Sequence, residues 1–170
     1  MRYNKAREAG WLPHPAGPTR DIEIEGRESG GRDVAQPPEV LAMVLCDLVI
    51  TDAETNKKSL IGLFDRVETA AMPCVLHELN IYLCLTDGHG VLPVAVACIA
   101  EPDGEELFRG ETTIAFQDPL QVVELHFVFP SARFPRAGEY RFQFLAGDTL
   151  LRERKFFVSY ADDRLPAPEC

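Results

Sequence analysis

The chain has 170 residues, 46% of them hydrophobic, and a formal charge of −10. That bounds one ordinary domain with a single hydrophobic core, of globular rather than disordered composition. Residues 1–38 hold six Lys/Arg and six Asp/Glu, so the remaining 11 bases and 21 acids carry all of the charge; an acidic surface of this kind excludes nucleic acid and anionic membranes as expected partners.

Residues 1–37 differ from the rest. They are rich in Gly, Pro and charge, apolar periodicity is confined to Ile22 and Ile24, and Trp11 stands alone. Such text buries too little surface to offset its ordering entropy, so a disordered tail is expected, or a start codon placed too early. No apolar leader stands at the N-terminus, and no run approaches the ~18 apolar residues of a membrane helix. The five cysteines, Cys46, Cys74, Cys84, Cys98 and Cys170, are odd in number and lack C-x-x-C spacing. Reduced thiols in a cytoplasmic protein are expected, with no bound metal or cofactor. Cys74, beside Pro73, is the thiol expected to be most exposed within the domain.

From residue 38 strands dominate. Val40 to Thr51 and Ser59 to Val67 are apolar runs around the turn residues Asp52–Lys58, which reads as a β-hairpin. Leu79, Ile81, Leu83 and Leu85 alternate with polar or small residues. Asp87-Gly88-His89-Gly90 turns the chain into Pro93–Ala100, apolar on both faces and so central or covered. Leu107–Phe116 follows a turn at 101–105. Leu125, Phe127 and Phe129 alternate next, and Pro130–Arg136 reads as a loop. In Gly138-Glu139-Tyr140-Arg141-Phe142-Gln143-Phe144 the aromatics share one face. A Gly two residues ahead of that Tyr is the pattern of a tyrosine corner, with Phe142 where an immunoglobulin domain has its second Cys. Leu150–Val158 closes a last hairpin, and 161–170 reads as a frayed tail. About eight strands with Gly/Pro turns and no three-turn helix predict an all-β, immunoglobulin-like antiparallel sandwich of about 7–9 strands over residues 38–160.

Leu45-Cys46-Asp47, Lys57 to Arg66, Gly88-His89-Gly90, Asp118 to Glu124 and Gly138 to Phe142 occur in that order. Together they resemble a bacterial family of small β-sandwich proteins known only as a domain of unknown function. The resemblance covers residues 38–159 and implies a fold and a boundary, with no activity or site attached.

Chemistry-bearing candidates are few. Asp47 and Asp65-Arg66 interrupt apolar strands, and the hairpin would set Asp47 opposite residue 64, 65 or 66. Two facing carboxylates would suit acid–base work, whereas Asp47 opposite Arg66 would be a fixed ion pair. Asp87 and His89 share a Gly-flanked turn and could form a general base or two ligands of a metal. Glu124 and His126 face outward on one strand, Arg141 and Gln143 on another. No nucleophile elbow or phosphate loop is present. The balance predicts a non-catalytic binding or accessory module, contacting a protein or a second copy of itself through an edge strand or through loops 86–92, 101–106 and 146–148. The rival expectation is a metal-dependent or acid–base hydrolase using Asp47, Asp65, Asp87 and His89.

Overall fold

A computed structural model describes residues 35–161, which form nine strands and no helix. In chain order these are β1 (Glu39–Thr51), β2 (Lys58–Leu63), β3 (Arg66–Thr69), β4 (Cys74–Thr86), β5 (Gly90–Ala100), β6 (Glu105–Phe116), β7 (Val123–Phe134), β8 (Gly138–Ala146) and β9 (Thr149–Tyr160). One sheet has the order β2-β1-β4-β7, the other β3-β9-β8-β5-β6. β3 runs parallel to β9, and every other pairing is antiparallel.

The chain leaves the first sheet after β4, returns for β7, and crosses again to the β8–β9 hairpin. That path is the Greek key of an immunoglobulin-like sandwich. The alternation read from the sequence sets the core. Leu79, Ile81, Leu83 and Leu85 on β4 face Val94, Val96 and Cys98 on β5 and Phe142, Phe144 and Phe156 on β8 and β9, all of them buried.

The tyrosine corner is present. The Tyr140 hydroxyl, buried at the start of β8, donates to the Arg136 carbonyl at 2.6 Å, and the Tyr140 ring packs edge-on against Phe134 at 4.9 Å. Gly138 stands at φ 150, a conformation that disfavours side chains, just where the chain enters the strand. Phe142, in place of a disulfide, packs between Phe156 at 5.6 Å and Phe108 at 6.2 Å.

Several expectations shift. The run 59–67 is not one strand. It divides at Phe64-Asp65 into β2 of one sheet and β3 of the other, because the chain crosses the sandwich there. The loop expected at 130–136 is strand through Phe134; β7 lies at a sheet edge, where Pro130 sacrifices no ladder donor, and Phe134 is fully buried. Cys74 is buried rather than exposed, since it pairs across the sheet with Phe134, and Cys84 is the more accessible thiol. Gln36, inside the expected tail, forms an antiparallel bridge with His89. Trp11, Cys170 and the remaining tail positions, 1–34 and 162–170, lie outside the described residues.

Candidate functional site

The sequence-derived acids do not converge. The β1–β2 turn is closed by Asp52, whose Oδ1 accepts from the backbone of Glu54 at 3.0 Å and Thr55 at 2.7 Å. The resulting register pairs Cys46 with Leu63 and Leu48 with Ile61, so Asp47 lies opposite Gly62 and not residues 64–66. Asp65 makes an exposed contact with its neighbour Arg66 at 3.4 Å. Asp87 and His89 sit in the β4–β5 turn, beyond Thr86, which pairs with Glu39. Asp47 follows Cys46, whose partner is Asn80. Six residues of β4 separate the two places, about 20 Å at strand spacing. Neither a carboxylate dyad nor an Asp47/Asp65/His89 cleft exists, and no cluster of three His, Cys, Asp or Glu suited to a metal occurs among the described residues.

The Gly-His-Gly turn has its own structural logic. Asp87 adopts φ 57 and its N–H donates to the Pro119 carbonyl, while Gly88 lies against the Phe116 ring, 2.4 Å from where a Cβ would stand. The three expected end loops divide between two ends of the sandwich. The 86–92 and 146–148 loops share one end, where Val94 pairs with Ala146 and the Gly147 N–H donates to the Pro93 carbonyl of β5; the 101–106 turn is at the other, where Arg136 reaches Asp103 at 2.5 Å. On the second sheet Arg141 and Gln143 are tied to Glu153, with Arg141 also 3.0 Å from Glu101. That face is an internally paired charge lattice.

The first sheet carries a feature that pattern alone does not reveal. Lys58 pairs with Thr51, five residues past Cys46 on β1, whereas Glu124 on β7 is aligned through Cys84 with Ala42, four residues before Cys46. A straight β1–β2 hairpin would hold them about 30 Å apart along the strands. They are joined by an ion pair at 2.8 Å. The hairpin therefore bends after Cys46 and doubles back across the outer face of β4 and β7.

Polar groups line the underside of this arm. Asn80, nearly inaccessible, donates through Nδ2 to the Asp47 carbonyl at 2.8 Å and to Glu78 Oε1 at 2.9 Å. Its Oδ1 is thereby left as acceptor, so the His126 Nε2 at 2.8 Å carries the proton. Glu124 receives both Lys58 and the Tyr82 hydroxyl, and these hydrogen bonds hold its carboxyl below the usual carboxylate range. Burial, followed by the neighbouring Glu124, pushes the Tyr82 phenol upward. Glu124 and His126 face outward and stay exposed, as expected, but each is engaged there, Glu124 by Lys58 and Tyr82 and His126 by Asn80; Asn80 had no sequence signal, being one polar residue in an alternating strand.

The arm's other face is apolar. Leu48 and Ile61 are a cross-strand pair, Ile50 and Leu63 share their side, and the four are 41%, 48%, 41% and 63% exposed respectively. Val49 and Leu60, on the side of Lys58, are half-buried.

Residues 41–159 match a family of unknown function, DUF6941. The chain belongs to that family. An immunoglobulin-like protein from Pseudomonas aeruginosa is similar over 75% of this chain and 99% of its own length, at 16% identity and a TM-score of 0.36, which adds nothing to the strand order above. A comparison with curated proteins gives no match. DUF6941 membership fixes the extent of the family's domain on this chain and attaches no chemistry to it. No helix among the described residues is long and apolar enough to cross a membrane.

Proposed function

We propose that this DUF6941 domain is a non-catalytic binding module that contacts another polypeptide through the open edge of β2 and the aliphatic outer face of its arm, in a reducing cytoplasmic setting. The carrying observation is how the four sheet edges differ. β7 has Pro130 within it, β3 is only four residues long, and β6 presents Glu105, Glu106, Arg109 and Glu111. Those are the devices that discourage strand addition. β2 has none of them apart from Lys58, which is turned onto Glu124, and it exposes Ile61 and Leu63. An extended segment added there would gain main-chain hydrogen bonds and bury the four aliphatics. The four free thiols among the described residues, three of them buried, suit a reducing compartment.

A photocrosslinking residue at Ile61, with Thr112 on β6 as control, tests the reading in cells that make the protein. A discrete adduct at position 61, absent at 112 and lost on adding Leu48→Asp, is expected. An adduct with a second copy would make the partner the protein itself. No adduct, or equal adducts at both positions, would remove the arm as the contact surface.

A further inference from the structure

The geometry points to an oxyanion-binding site on the open flank of the sandwich, where Arg152 and Arg154 of β9 reach the edge of β1. It is independent of the arm. Both arginines share the face of β9 that carries the buried Phe156 and Val158. At the flank they turn sideways. Arg152 Nη2 donates to the Val40 carbonyl at 2.7 Å, and Arg154 Nη1 to the Met43 carbonyl at 3.1 Å. These carbonyls lie on the stretch of β1 that β2 does not cover, beside a register shift between Val40 and Ala42 that turns Leu41 out to solvent.

The two guanidinium groups are fixed by neutral carbonyls and meet no carboxylate. Arg66, Arg109, Arg136 and Arg141 each have at least one acidic partner within ion-pair distance; Arg133, Arg152 and Arg154 have none among the described residues, and of these Arg133 is a lone exposed side chain whereas Arg152 and Arg154 are each held on a β1 carbonyl. Glu153 borders the same shallow groove, together with Leu41 and Met43, but its carboxylate is engaged by Arg141 and Gln143. Arg154 Nε is enclosed and has no hydrogen-bond acceptor among the described residues. Two like charges two residues apart on one strand face, about 7 Å, repel each other. Closing the flank requires only two hydrogen-bond donors, so neutral amides would serve that need equally well. What the pair adds is local positive charge on an otherwise acidic protein, with donors left over in a planar, pre-positioned array. That array suits a carboxylate or phosphate group, bound between the guanidiniums with its apolar neighbour resting on Leu41.

The probes are inorganic phosphate and acetate, each titrated at constant ionic strength against chloride while the arginine Nε and backbone amide resonances are followed by NMR. Saturable shifts confined to Arg152, Arg154 and the backbone amides of Leu41 and Met43 beside them are expected, with binding at least tenfold weaker in Arg152→Gln or Arg154→Gln and the amide shifts lost in the double variant. The Gln side chains retain a donor for each β1 carbonyl. If those variants fail to fold, Arg152→Lys and Arg154→Lys keep the charge while losing the fork and should weaken binding in the same way. A preference for acetate would assign a carboxylate ligand, a preference for phosphate a phosphoryl one. Linear, non-saturating shifts, or equal shifts in the double variant, mean adventitious ions only and overturn the site.

Discussion

Gly62→Ala separates two costs that coincide where the arm bends. Gly62 has φ +66, a left-handed conformation, and a Cβ built there would fall 2.1 Å from Asp47 Oδ2 and 2.8 Å from its Cγ. The backbone term for an alanine in that region is about 1–2 kcal/mol. The steric term depends on whether Asp47 can yield. Asp47 is exposed and its carboxylate has no hydrogen bond from the described residues that would hold it over the glycine, so rotation into water relieves the overlap for a few tenths of a kcal/mol, about the size of a surface side-chain change. The sum is about 1–2 kcal/mol, or roughly 4–8 °C in melting temperature for a domain of this size. A double-mutant cycle with Asp47→Ala should then show a coupling below about 0.5 kcal/mol. Denaturant melts of the four proteins measure it. A coupling above about 1 kcal/mol would show that Asp47 is pinned over Gly62 and that the bend is held by the side chain. A Gly62→Ala variant as stable as the parent would show that the bend relaxes without strain.

Two further perturbations read the corner and the arm. Tyr140→Phe removes the donor to the Arg136 carbonyl and should cost about 1–1.5 kcal/mol at pH 8. Burial raises the Tyr140 phenol above its ordinary value, so its contribution is complete below about pH 10 and is lost as pH rises towards the folded-state value; the gap between parent and variant should therefore narrow at pH 10.5, and equal unfolding midpoints at pH 8 would reject the corner. Glu124→Gln weakens the Lys58 and Tyr82 bonds that close the arm. Because Glu124 titrates below its unfolded value, its contribution is full above about pH 4.3 and is lost as pH falls through the folded-state value. At pH 7 the variant should speed hydrogen exchange in the 47–62 segment severalfold while leaving β8 unchanged, with less than about 1 kcal/mol of global destabilisation. The parent should show the same local effect only under acid. Exchange that is unchanged, or raised uniformly, would mean that the latch does not hold the arm.

The parts of the fold legible in the sequence were those governed by period and by local chemistry. Leu79, Ile81, Leu83 and Leu85 announce an inward face whatever their neighbours, and Tyr140 with Gly138 announces a corner because its hydrogen bond closes within four residues. Alternation says which face of a strand is apolar but not which sheet the strand joins. That is why Ser59–Val67 read as one strand although it crosses between sheets. Pro130 read as a loop signal because its missing N–H is harmless only at an edge, and edge position is a property of the whole sheet.

The candidate site was the least legible part, for a related reason. Asp47, Asp65, Asp87 and His89 stood out as polar residues against an apolar background, a contrast that identifies turns and bends as readily as reactive groups. Here it identified a bend at Asp47, a crossover at Asp65 and a packed turn at Asp87–His89. The groups that cooperate, Lys58 with Glu124 and Tyr82, or Arg152 and Arg154 with β1, come together through an arm that reverses over its own sheet and through a flank between two sheets. Once the arm is seen to reverse, the leucines and isoleucines of β1 and β2 take on a different meaning. In a straight hairpin inside the sheet, Leu48, Ile50, Ile61 and Leu63 would extend the sheet's outer surface. On an arm whose polar side is committed to Asn80, His126 and Glu124, they are the side left to face solvent, and the unblocked edge of β2 runs beside them. Apolar surface and free backbone donors in the same place are the two things an added strand requires.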